Sequence, residues 1–256
     1  MGRIFVCGDT HGTRDFNKLK ELSIAKKLTF DDYIIICGDC GIVWSKELLP
    51  QHLRAYKSLY TNILFVDGNH ENYDMLNSYP ISEWNGGKVH KISDNIYHLM
   101  RGQVFNIENK LFFTLGGADS HDKEGRIKNV SWWPEERINF DDLAESITNL
   151  KKCNKTVDYV ISHLPPNSLV NEIKATYKIS GEQIPSYIEN KLLKFGSYEK
   201  IEFIEKNIHF KRWFCGHLHF DFSLSKYFCL YENIYQINWF LFLLIKSFKS
   251  LTFNTL

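Results

Sequence analysis

The chain has 256 residues, of which 44% are hydrophobic, so it is long enough to bury a substantial core as one large domain. Its 31 lysine and arginine residues nearly balance 30 aspartate and glutamate residues, and the formal net charge at pH 7 is +1. This balance lacks the basic excess typical of proteins that bind nucleic acids or membrane surfaces, so neither kind of partner is predicted. The oligomeric state stays open.

Cysteine usage and the chain termini bear on location. Six cysteines are spread through a chain too large to need disulfide staples, which favours a reduced, cytoplasmic protein. Only four residues separate Arg3 from Gly8, too few for the apolar region of a signal peptide. The C-terminal segment contains an apolar run of about seven residues, well short of the roughly 20 that span a bilayer. We therefore expect one domain over residues 1–235 and a hydrophobic tail of unknown role over 236–256.

The first part of the chain alternates short apolar runs with segments of helical periodicity. Strands are predicted at 3–7, 33–37 and 62–66, and helices at about 15–27, 46–60 and 71–78. This alternation indicates βαβ units and a buried, largely parallel sheet.

From about Ile92 the pattern changes to short apolar runs separated by turn residues. The runs IYHL, QVFNI and KLFFTL suit a meander of antiparallel strands. The elements predicted after them are a helix from Pro134 to about Leu150, a strand at 157–162, a helical and loop-like stretch over 165–210, and a strand at 211–215. The whole pattern predicts an α/β fold.

Each apolar run of the alternating type stops at a small polar cluster that could bind a metal. The five clusters read GDTHG, GDCG, DGNHE, HLPP and GHLH. Ligands of open α/β sheets gather outside the carboxyl ends of the strands, so all five clusters are predicted to meet there. In the last cluster, His217 and His219 are two residues apart and would face the same side of an extended strand.

The motifs D-x-H, G-D, G-N-H-E, a later lone histidine and G-H-x-H, in this order and each after a strand, resemble the calcineurin-like metallophosphoesterase superfamily. They run from Asp9 to His219 and cover most of the chain. The forms GDTHG and GNHE are similar to the bacterial and bacteriophage protein-phosphatase-like branch. The resemblance implies a four-layer αββα sandwich, with two mixed β-sheets flanked by helices.

The resemblance also implies a pair of divalent metal ions and the residues that hold them. The implied ligands are Asp9, His11 and His219 for the first metal, Asn69, His163 and His217 for the second, and Asp39 as the bridge between them. Mixed imidazole, carboxylate and amide ligands suit manganese, iron, zinc or nickel more than magnesium or calcium, and manganese is our first expectation. His70 would face the substrate and donate a proton to the leaving oxygen.

These groups suit hydrolysis of a phosphate ester. Two divalent ions roughly 3.5 to 4 Å apart clamp the phosphoryl oxygens and lower the pKa of a bridging water. Asp9 and Asp39 offset half of the four positive charges, so the remaining field favours an anionic substrate. We expect attack of metal-bound hydroxide, with Asp39 and His70 as the catalytic side chains.

The ester class is open from the sequence. A phosphomonoesterase resembling protein phosphatases, acting on a phosphorylated small molecule or a phosphoprotein, is the first hypothesis. The alternatives are a phosphodiesterase for cyclic nucleotides, dinucleoside polyphosphates or nucleic acid, and a scaffold that keeps the metals without turnover.

The second motif departs from the protein-phosphatase pattern G-D-x-x-D-R-G. Here it reads GDCGIVW, so Ile42 replaces the aspartate that orients the catalytic histidine and Val43 replaces the arginine that grips phosphate. The phosphate clamp must come from elsewhere or be absent. The candidate arginines, which the sequence does not rank, are Arg14, Arg101, Arg126 and Arg137.

Segment 116–136 has two interpretations. Trp132 and Trp133 either form a loop over the metal site or pack the start of the helix predicted at Pro134. Glu135 and Glu136 are interpreted as residues near the positive end of that helix.

Other metal-capable residues are expected to lie outside the site. Cys37 and Cys40 form a CxxC around Asp39, but no second CxxC exists, so a redox or zinc role is not favoured. His121 is an intermediate case. The histidines interpreted as solvated or as satisfied within the core are His52, His90, His98 and His209.

Overall fold

A computed structural model describes residues 2–192 and 196–237 of the chain. The strands are β1 (Ile4–Cys7), β2 (Tyr33–Ile36), β3 (Asn62–Phe65), β4 (Ile81–Trp84), β5 (Gly87–Ser93), β6 (Ile96–Leu99), β7 (Gln103–Ile107), β8 (Lys110–Leu115), β9 (Thr156–Ser162), β10 (His209–Cys215), β11 (Phe222–Leu224), β12 (Tyr227–Cys229) and β13 (Tyr235–Ile237). The α-helices are α1 (Asn17–Lys26), α2 (Leu49–Lys57), α3 (Tyr73–Leu76), α4 (Phe140–Lys152), α5 (Asn167–Ser180), α6 (Ser186–Lys191) and α7 (Gly196–Asn207).

Within the described residues the strands form two mixed sheets, as expected. The first has the order β13-β1-β2-β3-β6-β5-β4, and its central strands β1, β2, β3 and β6 are parallel. The second has the order β11-β12-β10-β9-β8-β7, with β12, β10, β9 and β8 parallel. Parallel pairing places the carboxyl ends of neighbouring strands at one edge of each sheet.

Side chains of the first sheet alternate between two separate cores. Ile4 and Val6 of β1 face an apolar layer that also contains Phe214 of the second sheet. Phe5 faces the opposite way and packs in a cluster with Leu19 of α1. The alternation follows from the two-residue period of a strand, and it makes each central strand apolar on both faces.

The second sheet divides its side chains in the same way. Phe112 of β8 and Phe214 of β10 belong to the layer between the sheets. Trp213 lies on the other face, in a cluster with Ile173 of α5 and Ile201 of α7. The result is a helix layer, two sheet layers and a second helix layer, the αββα order that the resemblance implied.

The predicted antiparallel meander is wrong in its topology. β6 pairs in parallel with β3 and belongs to the first sheet. β7 and β8 form an antiparallel hairpin in the second sheet. The chain therefore changes sheets between Leu99 and Gln103, which the local hydrophobic pattern could not reveal. β4 was also missed, because three of its four residues are exposed and it carries little apolar signal.

The helix predicted to begin at Pro134 begins later. Residues Pro134–Glu136 form one turn of 3-10 helix, and α4 starts at Phe140. Asn139 caps it through a reciprocal pair of hydrogen bonds with Asp142. This capping box satisfies two free backbone N–H groups at the helix start and decides the boundary.

Strand β13 pairs antiparallel with β1, so residues 236 and 237 of the predicted tail join the first sheet. Residues 238–256 lie outside the described part of the chain, and the domain boundary and the role of the tail stay predictions. Among the described residues, no helix combines the length and hydrophobicity needed to cross a bilayer.

Candidate metal centre

The predicted ligands lie just beyond the carboxyl ends of five parallel strands. Asp9, Asp39 and Asn69 follow β1, β2 and β3 of the first sheet. His163 follows β9 of the second sheet, and the GHLH turn follows β10. The two sheets are packed face to face, so these strand ends converge at one edge of the sandwich.

Four of the predicted residues form a first group. One ligand atom from each of Asp9, His11, Asp39 and His219 lies within 4.8 Å of the others. His11 Nδ1 is 2.7 Å from the carboxylate of Asp15, which leaves its Nε2 toward the group, 3.5 Å from Asp39 Oδ2. A carboxylate that holds the outer nitrogen of a histidine is typical of metal ligands.

Two buried atoms without hydrogen bonds support a cation site in this first group. Asp9 Oδ2 and His219 Nε2 lie 2.9 Å apart, yet among the described residues neither buried atom has a partner in hydrogen-bond geometry. Buried polar atoms are nearly always hydrogen-bonded, so two that face each other without a bond fit a shared metal ion.

The other predicted ligands form a second group around His163. Its Nε2 lies 3.2 Å from Asn69 Oδ1, 3.2 Å from His217 Nδ1 and 3.3 Å from Asp39 Oδ1. Its Nδ1 is 2.8 Å from the carbonyl oxygen of Cys37, which orients the ring. Asp39 thus turns Oδ2 toward the first group and Oδ1 toward the second, the arrangement of a bridging ligand.

The backbone is strained at this edge. Four of the seven predicted ligands have positive φ angles: His11 (43°), Asp39 (47°), His217 (70°) and His219 (55°). Such angles are uncommon for residues other than glycine and cluster at functional sites. His217 and His219 therefore do not share the face of an extended strand as predicted, since both lie in the turn after β10.

Two glycines make the close packing possible. A Cβ at Gly68 would collide with the Asp39 carboxylate and lie 2.8 Å from His163 Nε2. A Cβ at Gly216 would collide with Asp9 Oδ1. Any larger residue at either position would displace a predicted ligand, which explains why glycine borders these motifs.

Burial raises the pKa of Asp9, but its contacts with His219 and His163 outweigh burial and lower the pKa below the ordinary value. Burial by itself raises the pKa of Asp39, but His163 and His70 lower it well below its ordinary value. Burial opposes protonation of His11 and His163, yet the nearby carboxylates raise both pKa values to about 9. Protons thus balance the negative charge in the metal-free protein. Two carboxylates with imidazole and amide donors fit divalent cations that would replace those protons.

His70 lies beside the ligands. Its backbone N–H donates to Asp39 Oδ1 over 2.7 Å, and its ring contacts the His11 ring edge-on at 5.4 Å between centroids. Its Nε2 is 3.0 Å from Nη2 of Arg126. Burial lowers the pKa of His70 to about 4, with Asp39 opposing and Arg126 adding to the decrease.

Sequence reasoning missed the role of Glu71, the last residue of GNHE. This fully buried side chain accepts hydrogen bonds from the backbone N–H of Cys40, over 2.7 Å, and of Gly41. It ties the loop after β3 to the loop after β2, directly beyond Asp39. Its place beside His70 in the motif was the available signal.

The CxxC and the remaining histidines lie outside the ligand groups. Cys37 and Cys40 are free and buried, and burial raises the pKa of both thiols well above the ordinary value, so neither is a ready thiolate. His52, His90 and His98 are buried with hydrogen-bond partners, which confirms that they are satisfied within the core. His209 is exposed.

The interpretation of Glu136 was wrong. This buried carboxylate accepts hydrogen bonds from the backbone and hydroxyl of Ser120, each over 2.8 Å, and pairs with Lys123 at 2.9 Å. It closes the segment 116–136 into a loop instead of facing a helix terminus. Trp133 is buried and donates to Asp74 over 2.9 Å, whereas Trp132 is half-buried.

A comparison with protein-family models agrees with the geometry. The calcineurin-like phosphoesterase family model matches residues 2–221. One solved crystal structure is similar over 89% of this chain and 89% of its own, with 14% identity and a TM-score of 0.44. A search of curated proteins finds no match. The family match spans the five strand-end motifs that form the candidate metal site, and the chain belongs to the calcineurin-like phosphoesterase family of metal-dependent phosphoric ester hydrolases, which bind two divalent ions.

Proposed function

We propose that the chain is a phosphomonoesterase that hydrolyses a phosphorylated small molecule or a phosphoprotein, with manganese as its first metal and the cytoplasm as its location. The observation that carries the proposal is the position of Asp39, whose two oxygens face two separate groups of ligand atoms. The resemblance of the motifs GDTHG and GNHE to the protein-phosphatase-like branch supports a monoester substrate over a diester.

The seven residues predicted from the motifs would hold the metals: Asp9, His11 and His219 in the first group, Asn69, His163 and His217 in the second, and Asp39 between them. When bound, the ions neutralise phosphoryl charge and activate a water. Glu71, Gly68 and Gly216 allow the loops that carry the ligands to pack closely together. His70 would give a proton to the leaving oxygen, and its position next to Asp39 but outside both groups supports this role.

A cavity beside His70 offers room for the organic group of a substrate. It has a volume of about 410 Å³ and is bordered by His11 and His70 on the side of the metal centre. Trp44, Leu48 and Arg14 line it further out. An aromatic ring, an apolar side chain and an arginine suit a leaving group that has both flat apolar and anionic parts.

The test is turnover of p-nitrophenyl phosphate and bis-p-nitrophenyl phosphate, side by side, with added manganese. We expect the monoester to be the better substrate and Asp39→Asn to remove activity on both. His70→Ala should lower kcat by about 10² to 10⁴-fold, the usual size of a general acid contribution, and leave metal content unchanged.

Three outcomes would contradict parts of this proposal. Preference for the diester would support a phosphodiesterase. Full activity in Asp39→Asn would show that the bridge is not needed. Two bound metals without cleavage of either ester would favour the scaffold hypothesis or a narrow natural substrate.

A further inference from the structure

The second motif supplies no substrate contact at the two positions where it departs from the protein-phosphatase pattern. Ile42 and Val43 are both completely buried, and both belong to the apolar cluster under the first helix layer. Their side chains face the core, so neither can orient His70 or touch a phosphoryl group. Any arginine that binds the phosphoryl group must come from another segment.

The structure separates the four candidate arginines. Arg101 is buried and pairs with two carboxylates, those of Asp67 and Asp142, whereas Arg126 pairs with one, that of Asp122. Arg137 pairs with Asp119 at 2.5 Å. Arg14 is exposed and lines the outer cavity. Arg126 is the candidate with a contact to His70, the residue placed to act on the leaving oxygen.

Arg126 reaches the site from the loop 116–136. Its Nη2 lies 3.0 Å from His70 Nε2, and its side chain is only 13% exposed. Asp122 Oδ2 lies 2.7 Å from Nη2 and 3.0 Å from Nε of the same guanidinium, which fixes its plane. Arg126 and Asp122 thus bring an aspartate–arginine pair to the ring of His70.

The loop that carries this pair is anchored at both ends. Glu136 is fully buried and holds Ser120 and Lys123. Trp133 is buried and bonded to Asp74. Arg126 lies between these anchors, so its position depends on a fixed loop. A guanidinium held in this way loses less rotamer freedom when it binds an anion.

The environment of Arg126 suits an oxyanion. Guanidinium N–H groups match phosphoryl oxygens in a planar, two-point geometry. Nη2 faces a ring nitrogen of His70, which carries no negative charge and is a weaker partner for a guanidinium than an anionic oxygen. A phosphoryl group within reach of His70 would therefore also lie within reach of Arg126.

We propose that Arg126, oriented by Asp122, binds the phosphoryl group of the substrate and replaces the aspartate–arginine pair absent from the second motif. Arg126 contacts substrate, and Asp122 is a positioning residue that acts through it. The inference rests on the proposed phosphoesterase function.

The test compares metal-loaded wild type, Arg126→Ala and Arg126→Lys by titration calorimetry with inorganic phosphate, alongside kcat and KM for p-nitrophenyl phosphate. We expect Arg126→Ala to weaken phosphate binding about ten- to hundredfold, the size of one charge-assisted contact, with metal content unchanged. Arg126→Lys should recover part of the loss, because it keeps the charge without the fork. Arg54→Ala, which removes an exposed arginine of α2, is the matched control and should bind phosphate as the wild type does.

Asp122 is tested by a double-mutant cycle. Asp122→Asn should weaken phosphate binding in the wild-type background and have no further effect in Arg126→Ala, because its action passes through the guanidinium. A purely structural role would weaken binding equally in both backgrounds and would overturn the assignment of Asp122.

The proposal for Arg126 is overturned if Arg126→Ala binds phosphate within about twofold of the wild type, or if the metal-loaded wild type binds none. The proposed function can fail separately. If the wild type binds metals and phosphate but cleaves neither nitrophenyl ester, the phosphoesterase proposal fails, whereas the binding data still show whether Arg126 contacts the anion.

Discussion

Two clusters of buried polar side chains lie next to each other after strand β3 and differ in how their members are paired. The Asp67 cluster contains Asp67, Tyr73, His90, His98 and Arg101. The metal-site cluster contains the seven predicted ligands, one of which, Asn69, is only two residues beyond Asp67. Both clusters combine carboxylates with histidines.

In the Asp67 cluster both carboxylate oxygens are hydrogen-bonded within the protein. Asp67 Oδ2 accepts from Tyr73 over 2.8 Å and from Arg101 over 2.8 and 2.5 Å, and Oδ1 is 3.1 Å from His98 Nε2. His98 Nδ1 in turn is 3.1 Å from His90 Nδ1. Burial raises the pKa of Asp67, but Arg101 and His98 outweigh it and lower the pKa below the ordinary value.

In the metal-site cluster the pairing is incomplete. Asp9 Oδ2 and His219 Nε2 have no hydrogen-bond partner among the described residues, although both are buried. No arginine contact to Asp9 or Asp39 is found in the same part of the chain. The comparison teaches that a buried carboxylate–histidine cluster is a structural element when its members form all of one another's hydrogen bonds. It is a binding site when a buried polar atom has no hydrogen-bond partner.

The largest expected effect is on catalysis and comes from Asp9→Asn. Loss of this ligand should lower kcat/KM at least about a thousandfold, roughly 4 kcal/mol of transition-state stabilisation. Because Oδ2 has no hydrogen bond to lose and asparagine keeps an oxygen that can accept from the His217 N–H, the free energy of unfolding of the metal-free protein should change less than we expect for Asp67→Asn. Steady-state kinetics and urea denaturation in chelator measure the two quantities. A large loss of stability in the metal-free protein would remove the contrast between the clusters.

The matched change in the other cluster is Asp67→Asn, for which we expect the opposite result. It leaves the buried Arg101 with one carboxylate partner fewer and should lower the free energy of unfolding by about 3 kcal/mol. Metal content at saturating metal should remain that of the wild type. A decrease below about 1 kcal/mol in urea denaturation would show that the pairing of Asp67 contributes little.

Metal addition sharpens the comparison further. At a concentration 100 times the dissociation constant, one bound ion should stabilise the wild type by about 2.7 kcal/mol. Asp67→Asn should keep this stabilisation by metal. Asp9→Asn should lose the stabilisation that comes from the ion bound by the first group of ligands. Thermal unfolding with added manganese and with chelator tests this, and an equal increment in both variants would contradict the assignment of Asp9.

The smallest effect is expected at the exposed rim of the Asp67 cluster. Lys88 Nζ lies 2.8 Å from Glu145, and 48% of the Lys88 side chain is exposed. Solvent screens such pairs, so Lys88→Ala should change the free energy of unfolding by less than about 1 kcal/mol. Denaturation at low and at high salt measures it, and a loss as large as that of Asp67→Asn would show that burial is not what separates the two cases.

The sequence pattern predicted an α/β fold, and the family resemblance added the two-sheet sandwich and a set of candidate ligands that the structure brings close together. Strand periodicity located β1, β2, β3 and β9, and the glycine-bordered motifs after them contain the residues that the structure brings together. Local pattern carries this information because a parallel strand is apolar on both faces and its carboxyl end opens into a loop.

Tertiary structure decided what depends on distant partners. Local pattern did not show that β6 joins the first sheet and β7 the second, since neither run differs from an antiparallel strand. It did not rank the four arginines, because whether each can bind a phosphoryl group depends on which distant side chains it contacts in the fold. The motifs implied Asp9 and not Asp67 as a ligand, but nothing local to either strand end explains the difference between these two aspartates. Only packing shows that Arg101 and His98 satisfy Asp67, whereas Asp9 Oδ2 stays open to a cation.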